Sequence, residues 1–411
     1  MLTTILLGAC SEERGSNPVS SHIAVAVTPG GLTRGGQAYV VQGVGGDENL
    51  AQLASRGGNS IRTWTTNGLD KILDEAQSLK LTVSAGIWLE QECSWFSYKN
   101  PGHCARQADR VRKEVTTYRD HPALLAWGIG NEVEGDGSNV AYWQQLERLA
   151  TLVRELDPHH PSFTAVAGLN PAKAAGLNEY TPSLDYIGIN TYGAVFGLRK
   201  QLEKVGWRRP WMLTEWGPRG FWESKQSASG TPVEQTSSDK ARMIRDAYQK
   251  VLTSGGGYLG NYAFVWGWKF ESTATWFGLL THDGDTIASV DVLEEMWTGR
   301  KPSNQAPGIE AITGVLTEPI APGFILQASV NATDPDQDEL TWHWAVLHDL
   351  QGHKHNTDKK IPESIPDTIT GNGKPSITVT APKAPGIYRL YVWVKDGKGQ
   401  AATANQPFEV R

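Results

Sequence analysis

Short apolar segments alternate with helical segments over most of this 411-residue chain, and this alternation limits the folds it can adopt. Each apolar segment has the length and the β-type residues of a buried strand. Between them lie helical segments such as 68–79, where Leu69, Leu73 and Ala76 fall on one face. The predicted strands are 38–44, 59–64, 81–88, 124–132, 162–166, 184–190, 211–214 and 262–266. Eight strands in this alternation predict an α/β fold of the (β/α)8 type, a TIM barrel, whose functional site lies at the carboxyl ends of the strands.

A doubly wound parallel sheet is the alternative fold for the same alternation. Such a sheet usually carries a glycine-rich phosphate-binding turn after its first strand. Here that position holds Gly43-Val44-Gly45-Gly46, which fits the G-x-G-x-x-G pattern poorly. We therefore favour the barrel.

The pattern changes after the linker-like segment 297–307, where strands continue without helices. Turn residues separate them, as at 334–338, which fits either a plain turn or a calcium-binding turn. Alternation predicts that Trp342, Trp344 and Trp393 are mostly core residues rather than a glycan-binding surface. We predict a C-terminal immunoglobulin-like β-sandwich without the cysteine pair of antibody domains. The predicted division is a tether at 1–22, a barrel at 23–302 and a sandwich at 303–411.

Charge and cysteine content limit the partners and the compartment. The net charge of −6, with both signs mixed, argues against nucleic acid or an anionic membrane surface as a partner. Cys10 ends the apolar run 5–9, as in bacterial lipoprotein signals, although no Lys or Arg precedes the run. We expect export to the bacterial cell surface or periplasm, with a lipid on Cys10 as the membrane attachment. An accidental likeness is the alternative.

Two further cysteines, Cys93 and Cys104, enclose an aromatic-rich loop with no metal-type spacing nearby. In an exported protein, such a pair predicts a disulfide that would hold the loop in place.

Two of the predicted strands end in a glutamate. Asn131-Glu132 ends the fourth strand and Glu215 ends the seventh, so both carboxylates reach the same rim of a barrel. A retaining glycosidase needs one carboxyl group to protonate the leaving oxygen and another to attack the sugar from the opposite face. We assign Glu132 as the general acid/base and Glu215 as the nucleophile. A purely structural role for both, paired with arginine, is the less favoured reading.

Residues at other strand ends complete the predicted site. Arg62 would keep Glu215 ionised, Tyr192 would donate a hydrogen bond to the same carboxylate, and Asn131 would bind a sugar hydroxyl. Trp266 would form the floor beneath the sugar. Among the sixteen tryptophans, two that lie in loops without core periodicity are predicted to bind substrate as well. These are Trp95 and Trp222.

Alternative chemistry is less well supported by the sequence. Four other rim acids rank below the chosen pair because none follows an apolar strand; these are Glu90, Glu92, Glu134 and Glu223. None of the ten histidines stands in a ligand pair at a predicted strand end. We therefore expect neither a metal nor a cofactor.

These stretches resemble the retaining glycosidases of clan A, in which the acid/base follows Asn at strand four and the nucleophile closes strand seven. The resemblance runs through residues 37–297. A barrel followed directly by an immunoglobulin-like domain is most similar to glycoside hydrolase family 158, which implies endo-β-1,3-glucanase activity on laminarin-type β-glucan. Family-two barrels are similar too, but they normally follow two β-sandwich domains. Other readings are a hydrolase or transglycosylase of the same clan acting on mannan or mixed-linkage glucan, and a non-catalytic glycan-binding surface lipoprotein.

Overall fold

A computed structural model of the chain describes residues 23–252, 256–350 and 361–411. It begins with three antiparallel strands, β1 (Val25–Thr28), β2 (Gly31–Arg34) and β3 (Gln37–Tyr39). Side chains of this small sheet pack into the amino-terminal end of the barrel interior. The single strand predicted up to residue 44 is therefore divided at Val40, which is 60% exposed, and its second half enters the barrel.

Eight parallel strands close the barrel, as predicted. They are β4 (Val41–Gly45), β5 (Ser60–Arg62), β6 (Thr82–Ile87), β7 (Leu124–Asn131), β8 (Ser162–Ala167), β9 (Tyr186–Asn190), β10 (Trp211–Trp216) and β11 (Tyr258–Phe264). Each strand pairs in parallel with the next, and β11 pairs with β4 to close the ring. The strands are almost continuously buried because side chains fill the interior on one face and helices cover the other. The (β/α)8 prediction is confirmed.

Helices cover the outside of the barrel. They are α1 (Leu50–Ser55), α2 (Leu69–Ser78), α3 (Pro101–Tyr118), α4 (Val140–Leu156), α5 (Pro171–Tyr180), α6 (Leu198–Lys204), α7 (Ser237–Ala247) and α8 (Ala288–Thr298). Asparagine side chains cap the first turns of α3, α4 and α5, where backbone N–H groups lack intrahelical partners. None of the helices among the described residues is both long and apolar enough to cross a bilayer.

The remaining strands build the sandwich. They are β12 (Thr286–Ile287), β13 (Gly308–Ile309), β14 (Ile325–Ser329), β15 (Ala332–Thr333), β16 (Thr341–His348), β17 (Ile369–Thr370), β18 (Ser376–Thr380), β19 (Gly386–Lys395) and β20 (Gln400–Val410). One sheet has the order β12-β20-β19-β16 and another the order β14-β18-β17. Trp344 is buried in the core between them, as predicted. The turn that follows β15 brings Asp334 and Asp338 close to Asp396, and Lys398 pairs with Asp338.

The sandwich packs directly on the barrel. Phe270 and Ala274, from the segment after β11, form one apolar cluster with Tyr391 and Trp393 of β19. Strand β12, which precedes the last barrel helix, pairs in parallel with β20. Trp393 is thus buried at the contact between the domains, and it does not face solvent as a binding surface.

A buried polar cluster crosses the same contact. The carboxylate of Glu234 accepts hydrogen bonds from Lys240, Thr273 and Thr275 of the barrel and from Asn405 of β20. Arg389 of β19 donates to Asn405 Oδ1 at 2.6 Å and, across the contact, to the Pro232 carbonyl at 2.8 Å. We call Glu234, Lys240, Thr273, Thr275, Asn405 and Arg389 the interdomain cluster.

The predicted disulfide is wrong, because Cys93 and Cys104 are both free thiols. Cys104 lies in the first turns of α3 and faces the core, where its Sγ contacts the Tyr98 carbonyl at 3.3 Å. Cys93 is exposed in a tight turn closed by backbone hydrogen bonds with Phe96. Other bonds hold this loop, including the cap of α3 by Asn100. The predicted lipid attachment at Cys10 lies outside the described residues.

Candidate active site

A cleft of about 980 Å³ opens at the carboxyl ends of the barrel strands. Among the described residues, its lining comes from the segments after every barrel strand except β6. Glu132 and Glu215 both face this cleft, and so do Asn131, Tyr192 and Trp266. The end of the barrel where the sequence places the site is therefore the end at which the structure gathers these residues.

Glu215 lies near the end of β10 and is held by three donors. Arg62 Nη1 and Trp64 Nε1 donate to its Oε1 at 3.1 Å and 2.7 Å, and Tyr192 Oη donates to its Oε2 at 3.0 Å. Burial, followed by the negative charge of Glu215, raises the pKa of Tyr192 well above its usual value, so the phenol keeps its proton. Three donors fix the orientation of the Glu215 carboxylate and stabilise its negative charge.

Glu132 follows β7 directly and has a different environment. Its Oε1 accepts a hydrogen bond from Asn190 Nδ2 at 2.8 Å. Burial raises the pKa of Glu132, and the negative charge of Glu215 raises it further. The backbone of Glu132 has φ of 53°, a left-handed conformation that L-residues rarely adopt and that tends to occur at functional sites.

A hydrogen-bonded chain links the two carboxylates through neighbouring strand ends. Asn131 Oδ1 accepts hydrogen bonds from Arg62 Nη2 at 2.6 Å and from Asn190 Nδ2 at 3.1 Å. Thr214 Oγ1 donates to Asn190 Oδ1 at 2.7 Å and so fixes which end of the amide faces Glu132. Asn131 therefore helps to order the site in addition to any contact that it makes with a sugar.

The predicted aromatic residues have separate positions. Trp266 is 2% exposed where it borders the cleft. Trp222 also lines the cleft, is 57% exposed and packs edge-on against Tyr192. Trp95 is 69% exposed but is not among the described residues that line the cleft. The structure therefore brings five of the six predicted binding residues to the carboxylates and leaves Trp95 outside.

The sequence analysis missed Trp64 and Asn190 as partners of the two carboxylates. Like the predicted site residues, both lie at the carboxyl ends of barrel strands: Trp64 is two residues beyond Arg62, the last residue of β5, and Asn190 is the last residue of β9. Lys269 and Glu271, which the segment after β11 contributes to the rim, were not predicted either. Lys269 Nζ lies 2.6 Å from Glu271 Oε2.

The four competing acids have partners that account for them structurally. Glu90 accepts hydrogen bonds from Arg110 and Gln107, and Glu92 accepts hydrogen bonds from Tyr98 N and Asn139 Nδ2. Glu134 is buried and pairs with Lys173 at 2.7 Å. Glu223 lines the cleft and accepts hydrogen bonds from the backbone N–H groups of residues 193, 194 and 220.

A closed (β/α)8 barrel with these two carboxylates at its carboxyl-terminal end has the architecture of a clan A glycosidase. The family model that matches the chain is that of glycosyl hydrolases family 2, TIM barrel domain, over residues 67–229. The matched stretch contains both Glu132 and Glu215. The match covers less than half of the chain and shows a likeness to the TIM barrel of family-two glycosidases.

Solved structures with similar folds are larger than this chain. A β-D-glucuronidase from Dictyoglomus thermophilum is 17% identical, with a TM-score of 0.54, over 68% of this chain and 54% of its own. β-Glucuronidase 2 from Bacteroides uniformis is 16% identical, with a TM-score of 0.53, over 95% of this chain and 48% of its own. A putative β-galactosidase from Bacteroides fragilis is 14% identical, with a TM-score of 0.53, over 94% of this chain and 57% of its own.

At these identities the structural likeness shows the fold alone, and the chain spans about half the length of the structures it matches. A search of curated proteins found no match. The comparisons support the clan that the sequence predicted, but they point to family two and not to family 158. The difference arises because the sequence assignment relied on the order of the domains, whereas the family match relies on the barrel itself.

Proposed function

We propose that this chain is a retaining β-glycosidase in which Glu215 attacks the sugar and Glu132 supplies and removes the proton. The observation that carries the proposal is the difference between the two carboxyl groups. Three donors hold the Glu215 carboxylate in one orientation, whereas burial and the charge of Glu215 raise the pKa of Glu132. An oriented carboxylate and a carboxyl group with a raised pKa in one cleft provide the nucleophile and the acid of a double displacement.

In the first step, a Glu215 oxygen forms a bond to the anomeric carbon while the bond to the leaving oxygen breaks and Glu132 protonates that oxygen. In the second step, Glu132 removes a proton from water, which displaces Glu215 and restores both groups. Arg62 and Trp64, on one oxygen, and Tyr192, on the other, keep the Glu215 carboxylate oriented for attack.

We propose further that the substrate is a neutral β-glucan cut internally, with β-1,3 links as the first choice. The order of the domains, a barrel followed directly by a sandwich, supports the linkage, and the charge of the cleft supports a neutral sugar. Six acidic side chains, of which Glu132 is the proposed proton donor, are among the described residues that line the cleft, against one lysine that pairs with Glu271. These acids are Asp47, Glu48, Glu132, Glu215, Glu223 and Glu271. An anionic sugar would enter against this field. Export and a lipid on Cys10 remain part of the proposal.

A polysaccharide panel tests the substrate. Laminarin, mannan and barley mixed-linkage glucan are incubated with the full chain, and new reducing ends and product sizes are measured. We expect a series of oligosaccharides from laminarin. Release from mannan or barley glucan alone would replace the β-1,3 assignment, and binding without release from any of them would favour a glycan-binding protein.

The mechanism has its own test. A 2-fluoro glycosyl fluoride of the sugar that is cleaved should trap a covalent ester, and peptide mass spectrometry should locate it on Glu215. Proton NMR of the first product should show the β-anomer. An ester on another residue, or an initial α-anomer, would refute the double displacement with these roles.

A further inference from the structure

A second depression is lined by loops at the same end of the barrel. It has a volume of about 450 Å³ and lies between the β6–α3 loop, which contributes Glu92 and Lys99, and the start of α4, which contributes Asn139 and Val140. We call it the side groove. Glu92 and Asn139, which both line it, are hydrogen-bonded to each other at 3.2 Å. The segment after β7 therefore contributes to both depressions, to the cleft through Glu132 and to the side groove through Ser138 and Asn139.

Two tryptophans project into solvent from the loop that forms one wall of the side groove. Trp88 is 47% exposed and Trp95 is 69% exposed. A tryptophan ring that stays exposed to water does not contribute the free energy that its burial would add to folding. Flat exposed rings have the chemistry that sugar faces require, since the C–H faces of sugars stack on aromatic rings.

The loop that carries these rings is held firmly. Arg110 Nη2 donates to the Trp88 carbonyl at 2.6 Å, and Tyr98 Oη donates to the Glu90 carbonyl at 2.6 Å. Backbone hydrogen bonds join Cys93 to Phe96 on either side of Trp95. Loops positioned by a rigid scaffold are typical of binding sites, because little ordering entropy remains to be lost when the ligand arrives.

A polar contact connects the loop to the proposed chemistry. Gln91 Nε2 donates to the Glu132 carbonyl at 2.8 Å, so the loop touches the residue that would protonate the leaving oxygen. In double displacement the leaving sugar lies on the side of the acid, opposite the nucleophile. The β6–α3 loop and the side groove are thus on the side from which the leaving sugars depart.

We propose that the side groove, with Trp88 and Trp95, binds the leaving-group end of a neutral β-glucan chain. The inference rests on the proposed function and adds a direction to it: the chain enters the cleft with its non-reducing part towards Trp222 and Trp266 and its reducing part towards Trp95. It also gives Trp95 a binding role at a place separate from the cleft.

The test compares two substrates in the full chain. A 4-nitrophenyl β-1,3-gluco-oligosaccharide places only an aryl group on the leaving side, whereas a long β-1,3-gluco-oligosaccharide extends across it. For Trp95→Ala and Trp88→Ala we expect the ratio of kcat/KM, long substrate over aryl substrate, to fall roughly three- to tenfold each, the size of one lost ring contact. Trp222→Ala should lower both values and leave the ratio unchanged. Phe324→Ala, which removes an exposed ring of the sandwich, should change neither.

Transfer to an acceptor gives a second readout of the leaving side. With the aryl donor and added β-1,3-gluco-oligosaccharide, Trp95→Ala should lower the ratio of transfer to hydrolysis by a similar factor. An unchanged ratio in both Trp88→Ala and Trp95→Ala, in both assays, would overturn the side-groove proposal and leave the hydrolase intact.

Binding separates this proposal from the proposed function. Calorimetry on Glu132→Gln, with and without Trp95→Ala, measures affinity for the same oligosaccharide without turnover. Weaker binding in the double variant would support the groove even if the wild-type chain released no sugar, a result that would refute only the hydrolase. Equal affinity in the two variants would refute the groove.

Discussion

The chain buries acidic side chains in two places, and their surroundings differ. In the interdomain cluster, burial by itself would raise the pKa of Glu234, but the charge and hydrogen bonds of Lys240, with those of neighbouring groups, lower it below its usual value. Both oxygens of Glu234 have partners, and Oε2 has one from each domain, Thr273 and Asn405. In the cleft, Glu132 has one amide donor at 2.8 Å and a nearby carboxylate, and its pKa is raised.

Burial of a carboxyl group therefore has different effects in the two places, depending on the groups that surround it. A carboxylate whose hydrogen-bonding capacity is filled is locked in one charge state and holds elements together. A carboxyl group beside a like charge, at an open cleft, can gain and lose a proton during a reaction. This contrast leads to four predictions.

The largest effect is expected from the nucleophile. Glu215→Gln removes the attacking oxygen and should lower kcat on the order of 10⁴-fold or more, because no other group can form the intermediate. In Glu215→Ala, added azide should restore turnover of an activated aryl glycoside and give an α-glycosyl azide. Substantial activity of Glu215→Gln with an unchanged melting temperature would remove this residue from the mechanism.

Removing the acid/base should lower kcat less than removing the nucleophile does, and the decrease should depend on the leaving group. Glu132→Gln is expected to lower kcat about 10²- to 10⁴-fold on glucan, and less on a dinitrophenyl glycoside, whose departure needs little protonation. Steady-state kinetics on both substrates measures the difference. Equal losses on the two would argue that Glu132 acts through structure alone.

A substitution in the interdomain cluster should lower the free energy of unfolding. Glu234→Gln leaves Lys240 buried without its counter-charge and should lower the free energy of unfolding by about 3–5 kcal/mol, measured by urea denaturation. The matched control is Asp246→Asn, which breaks the exposed ion pair with Lys250 and should cost ~0–1 kcal/mol. If the two substitutions cost the same, the cluster does not stabilise the contact between the domains.

The smallest effect is a shift in pH dependence. Because the pKa of Glu132 is raised, it keeps its proton above its usual value of 4.5, and kcat/KM should fall only as the pH rises through the raised pKa. Glu134 contributes to this rise through its negative charge and is paired with Lys173. Glu134→Gln should therefore move the alkaline limb to lower pH, as read from a kcat/KM profile. A limb that stays in place would show that Glu134 does not influence Glu132.

Strand periodicity predicted the barrel and the positions of Arg62, Glu132 and Glu215, because parallel strands of one barrel end at the same rim. The same reasoning did not identify Trp64 and Asn190 as partners. Each contact joins the ends of two strands far apart in sequence, and such a contact depends on backbone shifts like the irregular pairing of β9 with β10 around residues 213–215. Periodicity carries no information about these shifts.

Local signals were available for the disulfide error. Asn100-Pro101 is an N-cap followed by proline, a pattern that starts a helix, and α3 does begin at Pro101. A helix that begins there places Cys104 in its first turns. Helix α5 shows no apolar stripe in the sequence, because small residues, Ala174 and Gly176, take up half of its buried positions. The rim after β11 could not be predicted, since its shape depends on the sandwich that packs against it.

The polar link between Glu234 and Asn405 spans 171 positions of the sequence. Synthesis on the ribosome runs from the amino terminus, so the barrel strands are made first. Glu234 and Lys240 are therefore made before Asn405 of β20, the sandwich residue that completes their hydrogen bonds. The segment that bears Trp268 and Glu271 then gains its final support, because Glu234 also holds Thr273 and Thr275. A nascent chain interrupted before residue 405 would thus carry both glutamates of the cleft but lack a finished wall beside them.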